Sequence, residues 1–136
     1  APRWRNALGV LYARYGLHEK ARAQFANALE TRSSYYPALL NLGNLSYLRE
    51  HYEEALGYYL KAHGHAPDNS TVLLAVARIY HELENYYGAA KAYRKLQEKN
   101  PQIASRYSYL ALRGDEAGRA AEASGVKGEV VWADQE

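Results

Sequence analysis

A 34-residue internal period constrains this chain more than any other feature of its sequence. At four positions of this period, residues of similar type occur in three successive copies. The matching positions are Leu8, Leu42 and Val76; Gly9, Gly43 and Ala77; Ala21, Ala55 and Ala89; and Phe25, Tyr59 and Tyr93. A period of this length is typical of repeat proteins, in which each repeat is one supersecondary unit that stacks on the next. The spacing therefore predicts three repeats, at about 2–35, 36–69 and 70–103.

Each repeat contains two stretches with apolar residues at helical spacing, which predicts a pair of helices, A and B. We expect helices A over 3–15, 36–49 and 70–83, and helices B over 18–31, 52–65 and 86–99. Residues 104–113 are similar to another helix A, with Tyr107, Leu110 and Ala111 facing inward, and a short helix follows. The sequence thus predicts an all-α repeat array over 1–124, with a degenerate fourth hairpin at 104–124, and an extended tail at 125–136.

The repeated small residue also indicates how the helices pack. Gly43 lies in a leucine-rich helix, where glycine costs about 0.5–1 kcal/mol relative to alanine. Its recurrence as Gly9 and Ala77 suggests that a side chain is omitted so that two helices can approach closely. The expected partners on helices B are Ala21, Ala55 and Ala89. We expect the repeated aromatic residue to lie between successive repeats.

The repeated residues resemble the tetratricopeptide repeat (TPR), whose pattern is W-x2-L-G-x2-Y followed by A-x3-F, A and P. The residues that match are Leu8, Gly9, Tyr12, Ala21, Phe25 and Ala28; Leu42, Gly43, Ala55, Tyr59, Ala62 and Pro67; and Val76, Ala77, Tyr80, Ala89, Tyr93 and Pro101. The tryptophan position departs from the pattern, with Arg5, Leu39 and Leu73. The resemblance implies a right-handed α-solenoid that binds a peptide or protein segment in a concave groove.

In TPR proteins the groove is lined by helices A, so the resemblance also implies partner-binding residues. They are Asn6, Val10, Arg14, Asn41, Asn44, Tyr47, Leu48, Arg78, His81 and Glu82. Asparagine amides suit the backbone of an extended peptide, and arginines suit its carboxylates. The lysines with which TPR cochaperones hold a terminal carboxylate are replaced by Asn6, Thr71 and Ala75, so we do not expect recognition of a chaperone EEVD terminus.

The tail contains an apolar strip, Val130, Val131 and Trp132, which has two interpretations. The strip could cover the end of the array, or it could lie in a groove, its own or a neighbour's, as a ligand would. Two functions follow. The first is a non-catalytic protein–protein interaction scaffold whose groove binds a partner protein or peptide. The alternative is a structural or self-association module of a larger protein, with the tail docked in cis or in trans and a homo-oligomer as one outcome.

Other functions find no support in the sequence. There is no cysteine, and the five histidines form no cluster with metal-ligand spacing. No phosphate-binding loop or nucleophile elbow occurs, so we expect neither an enzyme nor a cofactor nor a metal site. A net charge of only +2 and the strict 34-residue period argue against an RNA-binding array, and we expect no nucleic-acid partner.

The sequence also bears on location and completeness. No run of about 18 apolar residues occurs, so no membrane span is expected in this stretch. The absence of methionine and the start at Ala1 suggest a piece of a longer or processed polypeptide. The compartment stays open between the cytoplasm and a bacterial periplasm, since chains in both can lack cysteine.

Overall fold

The computed structural model describes residues 1–126 and 128–133. Within these ranges the chain forms eight α-helices and one short 3₁₀ helix, and no strand. The α-helices are α1 (Pro2–Arg14), α2 (His18–Thr31), α3 (Tyr36–Leu48), α4 (Tyr52–His65), α5 (Ser70–Glu82), α6 (Tyr86–Lys99), α7 (Pro101–Arg106) and α8 (Gly114–Ser124), and the 3₁₀ helix is Ser108–Ala111. No helix in the described ranges has the length and apolar character needed to cross a membrane.

Consecutive helices pack as hairpins, α1 with α2, α3 with α4 and α5 with α6, and each hairpin packs on the next. The ends of these six helices agree with the sequence prediction to within one residue. Three clusters of buried side chains fill the spaces between successive hairpins and between the third hairpin and the C-terminal helices. The predicted all-α solenoid of helical hairpins is therefore confirmed.

The turn inside each hairpin repeats the same backbone geometry. Gly16, Glu50 and Glu84 occupy one repeat position and all have positive φ, at 76°, 61° and 60°. Glycine adopts this left-handed conformation without steric cost, whereas the two glutamates do not. The turn is therefore imposed on the glutamates by the packing of the two helices that it joins.

The repeated glycine makes room for an aromatic ring. A Cβ atom built on Gly43 would lie 2.5 Å from Cε1 of Tyr59, and one built on Gly9 would lie 2.5 Å from Cε1 of Phe25. The close approach of Gly9 to Ala21 stays a prediction, and the nearest atoms belong to the repeated aromatic residue. The reason is geometric, since the aromatic residue lies one helical turn after the alanine and its ring reaches across the hairpin.

The C-terminal hairpin differs from the prediction in detail. The helix expected over 104–113 begins instead at Pro101 and ends at Arg106. It starts early because the side-chain Oδ1 of Asn100 accepts a hydrogen bond from the Ile103 N–H at 3.1 Å, and proline is well suited to the first helical position. Because the chain then continues as a 3₁₀ helix, Ala111 is exposed rather than facing inward.

Candidate functional site

Residues 128–133 lie along helices α5, α3 and α1. From here on, the tail means residues 128–133, a part of the segment 125–136 that the sequence predicts to be extended. The groove is the surface of these three helices that faces it. Val130 packs against the cluster between the second and third hairpins, and Trp132 packs against the cluster between the first and second. The tail therefore runs from α5 towards α1 within its own chain, and this part of it does not cover the end of the array.

Two buried asparagines on successive repeats hold the backbone of Ala133. The Asn41 side chain donates from Nδ2 to the Ala133 carbonyl oxygen at 2.8 Å and accepts at Oδ1 from the Ala133 N–H at 2.9 Å. Asn6 also donates from Nδ2 to the Ala133 carbonyl oxygen, at 2.7 Å. The two amides are joined by a bond of 2.9 Å from Asn41 Nδ2 to Asn6 Oδ1. This arrangement recognises the main chain of the bound residue through both its N–H and its C=O.

A third asparagine extends this contact along the tail. Asn44 donates from Nδ2 to the carbonyl oxygen of Val131 at 3.0 Å. The Tyr59 hydroxyl donates to Asn44 Oδ1 at 2.6 Å, which turns the Nδ2 group towards the tail. Tyr59 is the aromatic residue that the missing side chain of Gly43 admits. The repeat that builds the hairpin thus also orients a residue of the site.

The side chains of the tail differ in how closely they contact the groove. The rings of Trp132 and Phe25 are stacked, with centroids 6.5 Å apart and planes inclined at 23°. Phe25 is fully buried and lies over Gly9. Val131, between two residues that pack inward, is 41% exposed. The groove therefore contacts the side chains of Val130 and Trp132 more closely than that of Val131.

Arg78 anchors the start of the segment that leads to the tail. Its guanidinium is buried, with the residue 6% exposed, and Nη2 donates to the Val126 carbonyl oxygen at 3.3 Å. The rings of Tyr47 and Tyr107 lie 5.5 Å and 5.4 Å from the guanidinium carbon, close enough for cation–π attraction. Burial alone would lower the pKa of Arg78, but the neighbouring tyrosines raise it above its ordinary value. The positive charge is thus retained inside the groove.

The other residues proposed from the sequence have mixed positions. Tyr47 donates from its hydroxyl to Glu82 Oε2 at 3.2 Å, at the edge of the groove. His81 donates from Nε2 to the Leu112 carbonyl oxygen at 2.9 Å, so it faces the C-terminal hairpin. Val10 is buried in the core, Arg14 is exposed in the last turn of α1, and Leu48 is 37% exposed at the end of α3.

Sequence reasoning missed Phe25 and Tyr59 as site residues, because both belong to helices B, which the TPR resemblance places behind the groove. A signal was present, since each recurs in register with the glycine that its ring covers. It also missed Ala133, whose backbone carries three of the hydrogen bonds. Any residue type can make a main-chain hydrogen bond, so the sequence does not indicate where one forms.

Buried tyrosines are expected to make this region less stable at alkaline pH. Burial raises the pKa values of Tyr47, Tyr59 and Tyr109 above the ordinary value of 10.0, although Arg78 opposes the rise. The unfolded chain therefore loses these protons first as the pH rises above about 10. Because the unfolded state then binds fewer protons than the folded state, the free energy of unfolding must fall with pH.

We expect urea-unfolding midpoints, followed by circular dichroism at 222 nm, to be steady from pH 7 to 9 and to decrease progressively above pH 10. A Tyr59→Phe variant should show a shallower decrease, because it removes one of the groups whose pKa differs between the two states. A midpoint that rises through this range would contradict the assignment.

The chain is similar to tetratricopeptide repeat protein 8 of Mus musculus, with 27% identity over 97 residues. The match covers 71% of this chain and 19% of the relative, so it concerns a small part of that protein. No protein-family model matches the chain. The similarity and the succession of packed helical hairpins fit a TPR-like repeat family and, with it, a protein-interaction scaffold.

Proposed function

We propose that this chain is a non-catalytic protein–protein interaction scaffold that binds an extended segment of a partner protein in the groove. The observation that carries the proposal is the double hydrogen bond between Asn41 and the main chain of Ala133. An amide placed to bond both the N–H and the C=O of one residue is suited to any extended segment that reaches it. The groove therefore has the chemistry of a peptide-binding site.

The fit of the tail supports the same proposal. The space left where Val130 and Val131 meet the groove has a volume of about 10 Å³, about enough for one water molecule. The walls of this space include Asn44, Tyr59 and Arg78, which are held by bonds or ring contacts of their own. A groove with prepositioned polar groups loses little side-chain entropy when a segment binds.

The test uses a synthetic peptide of residues 128–136, labelled with fluorescein at its N-terminus, and a full-length chain carrying Trp132→Ala. This substitution weakens the hold of the resident tail and leaves the asparagines unchanged. We expect saturable binding by fluorescence anisotropy. N-methylation of the peptide at position 133 should abolish it, because the methyl group removes the N–H that donates to Asn41 Oδ1.

The matched control is N-methylation at position 131, whose N–H makes no hydrogen bond to the described residues. That peptide should bind within a few-fold of the unmodified one. A folded Trp132→Ala chain that does not bind the unmodified peptide would overturn the groove as a partner site.

The second candidate is the structural one, in which the tail is a permanent part of the fold. The close fit at Val130 and Val131 favours it, since a segment that fills its site this well also stabilises the array. The two candidates differ in one respect: a purely structural groove would hold its own tail permanently, so that no peptide supplied in solution could replace it.

A further inference from the structure

We infer that the tail is a resident competitor for the groove, and that the partner segment it imitates has an aliphatic residue, a variable residue, an aromatic residue and a small residue in succession. This inference rests on the proposed function and specifies both the ligand and the control of the same site. The tail residues that define the pattern are Val130, Val131, Trp132 and Ala133.

The pattern follows from the contacts of each side chain. Val130 and Trp132 pack into two successive core clusters, one between each pair of hairpins. The groove thus presents an aliphatic site and, two residues further along the bound segment, an aromatic site over Phe25. Val131 is 41% exposed, so its position accepts many side chains.

The small residue at the fourth position follows from the hydrogen bonds. Asn6 and Asn41 both approach the Ala133 carbonyl oxygen to within 2.8 Å. Ala133 also packs against the cluster between the second and third hairpins. A main chain held this closely on two sides leaves little space for a bulky side chain.

Tail and partner must exclude each other because they need the same polar atoms. The two hydrogens of Asn41 Nδ2 are used by Ala133 and Asn6, and its Oδ1 accepts from Ala133, so a second backbone finds no free donor there. The tail follows helix α8 after only residues 125–127, and a short connection of this kind gives an effective concentration on the order of millimolar. A free segment of equal intrinsic affinity therefore competes poorly with the tail.

The first experiment compares three full-length chains for binding of the fluorescein-labelled 128–136 peptide: the unmodified chain, Trp132→Ala and Glu129→Gln. We expect the Trp132→Ala chain to bind at least tenfold more tightly than the unmodified chain, because its own tail competes less well. Glu129 is exposed, and Glu129→Gln should bind the peptide like the unmodified chain.

The second experiment tests the pattern on the peptide, with the Trp132→Ala chain as receptor. A Val131→Lys change in the peptide should alter its dissociation constant by less than threefold. A Trp132→Ala change in the peptide should raise the dissociation constant by more than thirtyfold. Equal losses for the two changes would overturn the pattern.

The outcomes separate this inference from the proposed function. Equal, saturable binding by the unmodified and Trp132→Ala chains would overturn the resident competitor and leave the groove as a partner site. Absence of binding to either chain, with both folded by circular dichroism, would overturn the proposed function itself. Sedimentation should give a monomer for both chains, and an unmodified dimer that dissociates on Trp132→Ala would show that the tail competes in trans instead.

Discussion

Replacing Gly43 with alanine is expected to lower the free energy of unfolding by about 1–3.5 kcal/mol. Overpacking costs about 1–3 kcal/mol and a displaced hydrogen bond adds about 1 kcal/mol, while the higher helix propensity of alanine offsets about 0.5–1 kcal/mol. The new Cβ would lie 2.5 Å from Cε1 and 2.6 Å from Cδ1 of Tyr59, so the ring must move. Moving the ring also disturbs the 2.6 Å bond from the Tyr59 hydroxyl to Asn44. Urea unfolding followed at 222 nm measures the loss.

Gly57→Ala is the matched control. Gly57 lies in the middle of α4 and is exposed, and a Cβ atom there would meet nothing within 4 Å. Alanine should therefore raise the free energy of unfolding by about 0.5–1 kcal/mol through helix propensity alone. If Gly43→Ala proved as harmless as Gly57→Ala, the close packing of the Tyr59 ring against α3 would be wrong.

Replacing Asn41 with alanine should release the tail and destabilise the array by about 2–4 kcal/mol, because net contributions of about 0.5–1.5 kcal/mol are lost for each hydrogen bond. Asn41 takes part in three of them, two to Ala133 and one to Asn6, and is fully buried. The substitution also leaves Asn6 Oδ1 without its donor. Urea unfolding gives the stability.

The release of the tail can be followed by tryptophan fluorescence in a Trp4→Phe background, since Trp4 and Trp132 are the two tryptophans of the chain. The emission of Trp132 should shift to longer wavelength in Asn41→Ala. Asn27→Ala, on the half-buried face of α2, is the control and should change the free energy of unfolding by about 0.5 kcal/mol or less. An unshifted Trp132 emission in Asn41→Ala would mean that the asparagines do not hold the tail.

Much of the array was predictable because its determinants are local. Apolar spacing specifies each helix, and the recurrence of Gly9 and Gly43 with Phe25 and Tyr59 sets the hairpin period. The same logic failed at the C-terminal hairpin, where the Asn100 cap starts α7 earlier than the period suggests. A cap is a single side-chain bond, and the period does not report it.

The candidate site was predictable only in part. The TPR resemblance pointed to Asn6, Asn41 and Asn44, and these three do contact the tail backbone. It did not point to Phe25 or Tyr59, because their rings reach the site from the other helix of the hairpin. Side-chain direction across a packed hairpin depends on which neighbour is small, and this is a property of the pair of helices.

The amino-acid pattern alone is enough for the six helices of the first three hairpins and for the order in which these hairpins stack, since each depends on residues within about one repeat length. The position of the tail depends on contacts between distant parts of the chain, with Ala133 separated from Asn41 by 92 positions and from Asn6 by 127. From its composition alone, the apolar strip of the tail would fit the end of the array as well as the groove. The stacked hairpins decide between them, because they place the asparagine amides and the Phe25 ring where an extended main chain can reach both.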